Sequence, residues 1–395
     1  MTLLEPIEGT DPLLETQIQE SVDHFRRLIE QQVIRTKRME QAGAPLDVSS
    51  LYPLVIGIIG GDGIGPVLVR EAERILRHLL EEDIAAGKVE LRQIAGLTIE
   101  NRMAKMQAVP EDILAKIREC HVLLKGPTET PKGGRMESAN VSLRRALDLY
   151  ANVRPVSVPE EGIDWTFFRE NTEGEYVLGS QGIELPGRLA MDFKVTTALG
   201  TKRIVRAAFE YAKANGKDNV AIVTKANIMK QTDGNFSRIA HEVARDYPGI
   251  TADDWYIDIM TANLLVPGKR SKYQVFVLPN LYGDILTDEA AQIQGGVGTA
   301  GSANIGDRYA MFEAIHGSAP RMVEEGRGEF SNPSSVFKAT ELMLSHIGRT
   351  SEAGKLSKAM AICLETEKRL VITGSSDGAT CSEFADYVME TMAQL

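Results

Sequence analysis

Between Ser138 and Arg169 the chain sets arginines among hydroxyl and amide groups. The stretches are Ser138-Ala-Asn140-Val-Ser-Leu-Arg144-Arg145, Asn-Val-Arg154-Pro and Phe-Phe-Arg169-Glu-Asn. A planar guanidinium binds a carboxylate in bidentate fashion, so several together suit a small anion with more than one carboxylate. Any one of them alone would be an ordinary surface residue; the grouping carries the reading. A second constellation is Asn280-Leu-Tyr-Gly-Asp284-Ile-Leu-Thr-Asp288-Glu289. In a helix starting near Gly283, Asp284 and Asp288 share a face and can offer hard oxygen ligands to one cation. The alternative is that Asp284 caps the helix and Asp288 is solvated. Asp258, read on a strand from Trp255 to Met260, is a candidate third ligand, and so few carboxylates favour Mg²⁺ or Mn²⁺ with open positions.

Lys225 and Asn227 follow the strand Asn219–Thr224, at the edge where open parallel sheets place ligands. The lysine is either a structural cation or a proton-transfer group with a lowered pKa. Tyr176 is either core or a phenolic acid. His316-Gly317-Ser318-Ala319-Pro320 surrounds a histidine with small residues, which lets backbone amides approach a nucleotide.

Two glycine motifs fail as dinucleotide fingerprints, which need strand, turn and helix together. In Gly61-Asp-Gly63-Ile64-Gly65-Pro66 the third glycine position falls on Pro66. Gly296-Val-Gly298-Thr-Ala-Gly301 has the spacing, but a helix read over Asp284 to Gln294 precedes it instead of a strand.

The elements that must position these residues alternate. Short β-branched runs (54–59, 89–94, 121–124, 220–223, 274–278) are interleaved with helical stretches such as 66–82, 202–215 and 235–245. That order predicts an α/β protein with a largely parallel sheet. Residues 11 to 42 differ: Leu14, Ile18, Val22, Phe25, Ile29 and Val33 form an apolar stripe at three- and four-residue steps, and Ala42-Gly43-Ala44-Pro45 ends it. The stripe is expected to pack on its own subunit or to join dimers into a larger assembly.

At 395 residues the chain predicts about two domains. The net charge of −11 argues against nucleic acid as a partner and requires a local positive field for an anionic substrate. No apolar run reaches the roughly 18 residues that span a bilayer, and the acidic start lacks the look of a targeting peptide, so no membrane role and a cytoplasmic location are expected. Three cysteines without CxxC spacing predict neither disulfides nor a thiolate metal site.

In combination, Gly-Asp-Gly-Ile-Gly-Pro, Lys125-Gly-Pro, Ser-x-Asn-x-x-x-Arg, Asn-Val-Arg154-Pro, Arg169-Glu-Asn-Thr-Glu, Lys225-Ala-Asn-Ile-Met-Lys, Asn-Leu-Tyr-Gly-Asp284-Ile-Leu-Thr-Asp288 and His316-Gly-Ser-Ala-Pro resemble the isocitrate and isopropylmalate dehydrogenase family. The likeness runs from about Leu54 to the C-terminus and leaves residues 1 to about 50 outside. It implies a non-Rossmann two-domain α/β fold with an extra N-terminal helix. The domains would be a helical extension at 1–50, a large domain on the cofactor side at 51–152 and 296–395, and a small domain at 153–295 that carries the dimer interface, substrate and metal. It also implies a homodimer with shared active sites. Arg144, Arg154 and Arg169 would then bind carboxylates, with Asn227 beside them, and Tyr176 would protonate the enolate left by decarboxylation. Asp284 and Asp288 would hold the metal, and Lys225 and Asp258 would come from the partner subunit. The cofactor would lie along Ile64, Thr128, His316, Gly317, Ser318, Ala319, Pro320, Arg321 and Asn332.

Ser138 and Asn140 match the isocitrate pattern, a tricarboxylate with a third group to hydrogen-bond, because unpaired polar groups against an isopropyl group would be costly. Homoisocitrate is nearer in chemistry than 3-isopropylmalate. Arg321 stands where NAD enzymes of the family resemble one another in an aspartate, and it could pair with the 2′-phosphate of NADP. The alternative is a solvent-facing Arg321 with Glu324 or Glu325 on the ribose of NAD. A catalytically silent subunit of a hetero-oligomer is the competing function; it would be expected to have lost catalytic residues, and none is missing.

Overall fold

Six consecutive apolar residues, Leu54–Ile59, form strand β1, buried on both faces as the strands of covered parallel sheets are. The computed structural model describes residues 12–41, 43–131, 136–179 and 181–395. Around β1 the chain builds one ten-stranded sheet. Its further strands are β2 (Val89–Gln93), β3 (Val122–Lys125), β4 (Ala151–Val158) and β5 (Ile163–Glu170), and, past a small separate hairpin of β6 (Ile183–Leu185) and β7 (Leu189–Met191), β8 (Asn219–Thr224), β9 (Thr251–Tyr256), β10 (Val275–Leu278), β11 (Gly301–Ile305) and β12 (Ala310–Ala314). The order across the sheet is β2-β1-β3-β12-β11-β4-β5-β10-β8-β9. Both ends are parallel, whereas the middle pairings β12/β11, β11/β4 and β4/β5 are antiparallel.

Helices cover both faces. One apolar core gathers Ile56, Ile58, Leu68, Phe312, Phe337 and Phe384 on one side of β1, β3 and β12, and another gathers Val55, Ile59, Ile117 and Leu123 on the other side. Around β5, β8 and β10, Phe209, Phe236 and Val277 fill one side, and Trp165, Phe167 and Phe276 fill the other. Phe167 and Phe276 stack at 4.3 Å, with Trp165 edge-on to both. Among the described residues no helix is long and apolar enough to cross a membrane.

Three expectations change. The strand read through Trp255 to Met260 ends at Tyr256, and Asp258 falls in the first turn of a helix, Ile257–Leu264. Met260, Asn263 and Leu264 are its buried positions, a helical spacing that the short alternation Trp-Tyr-Ile-Asp-Ile-Met conceals. The helix expected to start near Gly283 begins at Asn280, and Pro279 precedes it, so Asp284 is not its cap. The N-terminal helix is present as Pro12–Glu40; residues 11 and 42, where it was expected to begin and end, lie outside the described residues. Its apolar stripe is only partly covered: Phe25 stacks on Phe193 of the same chain. Ile18, Val22, Phe25, Ile29 and Val33 stay 38–54% exposed, and the helix docks on its own chain through Leu28, 2% exposed.

Gly61 and Gly63, at φ of 76° and 57°, explain the first glycine motif. A Cβ at Gly63 would collide with the Ser318 carbonyl and one at Gly61 with the Pro127 carbonyl. The motif is a crossing point of three loops that only glycine permits.

Candidate active site

Strands β3, β12, β4 and β5 carry buried charged or amide side chains, Lys125, Glu313, Asn152, Arg154 and Arg169, that an apolar sheet would not otherwise tolerate. At the end of β3, Lys125 lies opposite Glu313 of β12. Its ammonium reaches the Glu313 carboxylate at 3.1 Å and the Gly126 carbonyl at 2.8 Å. Arg144, from the helix Ala139–Ala146, donates to the other Glu313 oxygen at 3.1 Å, as does Asn304 at 3.0 Å. Burial alone would raise the Glu313 carboxyl, but Lys125 and Arg144 outweigh it and bring it down to about 2.

On the neighbouring strands, Arg154 of β4 donates to Thr287 Oγ1 at 2.7 Å and to Asp288 at 2.8 Å. Arg169 of β5 donates to Asn280 Oδ1 through Nε at 2.9 Å and Nη2 at 2.7 Å, and its third nitrogen pairs with Asp284. Gly283 makes this possible, because a Cβ there would stand inside the Arg169 side chain. The hydroxyl of Tyr176 donates to the second Asp284 oxygen at 2.8 Å. Burial, assisted by Asp284, pushes the Tyr176 phenol up to about 12. Burial would also raise Asp284, but Arg169 and the Tyr176 hydroxyl, with Arg154 and Arg144 beyond, hold it below the usual carboxylate range. Desolvation and the neighbouring Arg144 bring Arg169 down to about 10.

A cleft of about 140 Å³ opens over Glu313, Arg144 and Arg154, and Arg169, Tyr176, Asp284 and Asp288 are not among the residues that line it. Asn140, Arg144 and Arg154 line it together with Thr128, Ser302, His316 and Gly317, so residues expected to meet substrate and residues expected to meet cofactor share one cavity. Thr128 donates to Asn140 Oδ1 at 3.0 Å. The Nε atoms of Arg144 and Arg154 are buried without a protein partner. Ser138 stands at the N-cap of the Arg144 helix and makes no capping bond with its side chain.

The cofactor candidates converge by backbone. The Ile64 amide donates to the Ser318 carbonyl at 2.9 Å. Ala319 holds a left-handed φ of 43°, a strained conformation of the kind found in ligand loops, just before the short helix Pro320–Glu324. A Cβ at Gly317 would meet nothing within 4 Å. Arg321 is 85% exposed and bonds Glu325 at 2.7 Å, and Glu325 also pairs with Arg327, so Glu325 is engaged by arginines. Asn332 accepts the Ser334 amide at 2.9 Å at the start of the helix Ser334–His346.

Lys225, Asn227 and Asp258 are not drawn into this group. Lys225 reaches Asp258 at 2.6 Å, Asn227 is exposed, and among the described residues no hydrogen bond or ion pair joins Lys225 or Asp258 to Asp284 or Asp288. Nor do any three His, Cys, Asp or Glu side chains among them form a group that could hold a metal ion. Asp284 and Asp288 therefore supply only two oxygen-bearing groups, of the hard kind that Mg²⁺ or Mn²⁺ takes, and the residues fit the ion in part within one chain.

Sequence reasoning assigned no role to Lys125, Glu313, Asn280 or Glu173. A glutamate inside the apolar strand Ala-Met-Phe-Glu-Ala and a lysine closing Val-Leu-Leu-Lys were the available signals, since each demands a buried partner.

Residues 55–388 match the family model described as isocitrate/isopropylmalate dehydrogenase. The NADP isocitrate dehydrogenase of Rickettsia prowazekii (strain Madrid E) is 37% identical over 353 residues, 86% of this chain and 70% of that protein. The homoisocitrate dehydrogenase of Methanocaldococcus jannaschii is 36% identical over 330 residues, 79% of this chain and 90% of that protein. A crystal structure of isocitrate dehydrogenase from Methylococcus capsulatus superposes with a TM-score of 0.76 at 34% identity, covering 86% of this chain and 99% of that one.

Proposed function

The chain belongs to the isocitrate/isopropylmalate dehydrogenase family, and from that premise we propose that it is an NADP-dependent enzyme oxidising and decarboxylating isocitrate to 2-oxoglutarate and carbon dioxide. The observation that carries the substrate is the cleft, where two buried arginine Nε atoms await an acceptor beside the Thr128–Asn140 pair. Such a lining rewards carboxylates and penalises an isopropyl group.

Arg144, Arg154 and Arg169 bind and orient the carboxylates in this reading, with Ser138 and Asn140 on the third. Lys225 would take the hydroxyl proton, and Ile64, Thr128, His316 to Pro320 and Asn332 would hold the nicotinamide cofactor, which when bound supplies the hydride acceptor. After carbon dioxide leaves, Tyr176 delivers a proton to the enolate carbon; its phenol, pushed up to about 12, is protonated at neutral pH as an acid must be. Asp284 and Asp288 would hold Mg²⁺ or Mn²⁺, which when bound supplies positive charge to the alcohol oxygen and the neighbouring carboxylate. The third carboxylate, Asp258, comes with Lys225 from a second copy, so the enzyme is a homodimer with shared sites; the exposed stripe of the N-terminal helix is its route to a larger assembly. Residues 51–152 with 296–395, and residues 153–295, act as the large and small domains.

Purified protein supplied with isocitrate, Mg²⁺ or Mn²⁺ and NADP tests this directly. Production of NADPH with higher kcat/KM for isocitrate than for homoisocitrate or 3-isopropylmalate is expected. Preference for homoisocitrate would reassign the substrate, and no turnover of any of the three would replace the enzyme with a silent subunit.

A further inference from the structure

The N-terminal helix lies outside the stretch that matches the family, yet it clasps the segment that carries Tyr176 at four places. His24 Nε2 lies 2.8 Å from the Gln181 carbonyl oxygen. Phe25 stacks on Phe193 with ring centroids 5.1 Å apart. Leu28 packs with Val177 and Leu178. Arg35 Nη1 donates to the Glu173 carboxylate at 3.1 Å, and Nη2 reaches Thr172 Oγ1 at 3.4 Å.

Glu173 is the pivot. It is 2% exposed, and among the described residues Arg35 makes the one ion pair that its carboxylate has. The same carboxylate accepts the Thr197 amide at 2.8 Å, while Gly200 leaves it room that a Cβ would fill. Its carbonyl accepts Asn280 Nδ2 at 3.1 Å, and Asn280 Oδ1 takes two nitrogens of Arg169. From Arg169 the path reaches Asp284 and so Tyr176. A second buried acid, Glu170, stands behind the pivot and accepts the Glu173 amide at 2.6 Å. Two acids this close, out of water, repel unless a proton or a cation relieves them: Glu170 is pushed up to about 7 by burial and Glu173, Arg203 lies near both acids, and Arg35 is the cation in contact with Glu173.

We propose that Arg35 is a positioning residue for the active site: by neutralising Glu173 it fixes the Asn280–Arg169–Asp284 relay and the loop bearing Tyr176. The inference rests on the reading of Arg169, Asp284 and Tyr176 as the machinery of isocitrate turnover. It gives the N-terminal helix a role in substrate geometry that its distance in sequence from every candidate site residue conceals.

The experiment compares wild type, Arg35→Met, Arg35→Lys and Lys37→Met, the last an exposed control on the same helix. KM for isocitrate, melting temperature and hydrogen–deuterium exchange over residues 171–178 are measured on the full chain. With Arg35→Met, KM should rise about 3- to 10-fold, the scale of coupling through a packed network, and exchange should quicken. Arg35→Lys should recover most of both, and Lys37→Met should match wild type. A lower melting temperature with KM and exchange unchanged would reduce Arg35 to a stability contact and overturn the proposal, as would an equal effect of Lys37→Met. If the wild type fails to turn over isocitrate, the functional reading falls by itself and the exchange comparison still decides about Arg35: unchanged exchange overturns it. Should Arg35→Met fail to fold, Glu173→Gln removes the same pair and is judged by the same two readouts.

Discussion

Tyr176 donates to one oxygen of Asp284 at 2.8 Å while Arg169 occupies the other, so a single carboxylate fixes both the proposed acid and a proposed substrate arginine. Asp284→Asn keeps the shape and loses the charge. A neutral amide is a poorer ligand for a hard cation and a weaker partner for Arg169. Turnover should fall at least about a hundredfold with far-UV circular dichroism unchanged; activity within a few fold of wild type would remove Asp284 from the machinery.

Tyr176→Phe deletes only the hydroxyl. If that oxygen delivers the proton, kcat should drop by about 10²-fold with little change in KM for isocitrate. The wild-type phenol should resist ionisation up to about pH 12, seen as a late component in the ultraviolet titration of tyrosinate. Because its folded pKa is raised, its contribution to stability is complete below the unfolded value near 10 and is lost as pH rises towards 12.

How far the sequence led depends on which signals are local. Leu54–Ile59 is a strand with the limits of its run, and the run 220–223 marks the strand Asn219–Thr224 to within one residue at each end, because a covered strand leaves a continuous signature. Asp258 was misplaced because five or six alternating residues look alike at a strand end and at the first turn of a helix. The N-terminal stripe gave the helix but not the positions that dock it most deeply: Leu28 and Arg35 are chosen by what lies opposite, Val177, Leu178 and Glu173, and nothing in residues 12–40 names those partners. The arginines were legible as a group, whereas the acid that pairs Arg144, Glu313, is 169 residues away and shows only as a charge inside an apolar strand.

Glu313 also contributes to the acid limb of stability. Its folded pKa, depressed to about 2, means that its ion pairs stabilise the protein fully above the ordinary value near 4.5 and fail progressively as pH falls towards 2. Glu313→Gln leaves Lys125 and Arg144 buried without their carboxylate, which should cost about 3–5 kcal/mol. Denaturant melts at pH 7 measure that loss. At pH 3 the difference between variant and wild type should be smaller; an equal gap at both pH values would show that the charge is not what matters.

Arg321 projects into solvent beside Glu325, and the proposed reading sets the cofactor along the neighbouring His316 loop. Arg321→Asp should weaken NADP by about 1.5–3 kcal/mol, a ten- to roughly 150-fold rise in its KM, with little effect on NAD. Equal use of the two cofactors by the parent protein would dissociate Arg321 from the choice.

Within one chain Lys225 bonds Asp258 and neither is joined to Asp284 by a hydrogen bond or ion pair. In the proposed shared arrangement a complete site takes Asp284 from one copy and Lys225 with Asp258 from another. Asp284→Asn and Lys225→Met should each be inactive alone. After denaturation and joint refolding in equal amounts, half the dimers are mixed and each mixed dimer holds one intact site, so roughly a quarter of wild-type activity should return. Mass spectrometry of the refolded dimers reports the exchange independently. Mixed dimers without activity would place both residues in the same copy's site and dismantle the shared arrangement, leaving the Lys225–Asp258 pair a surface contact.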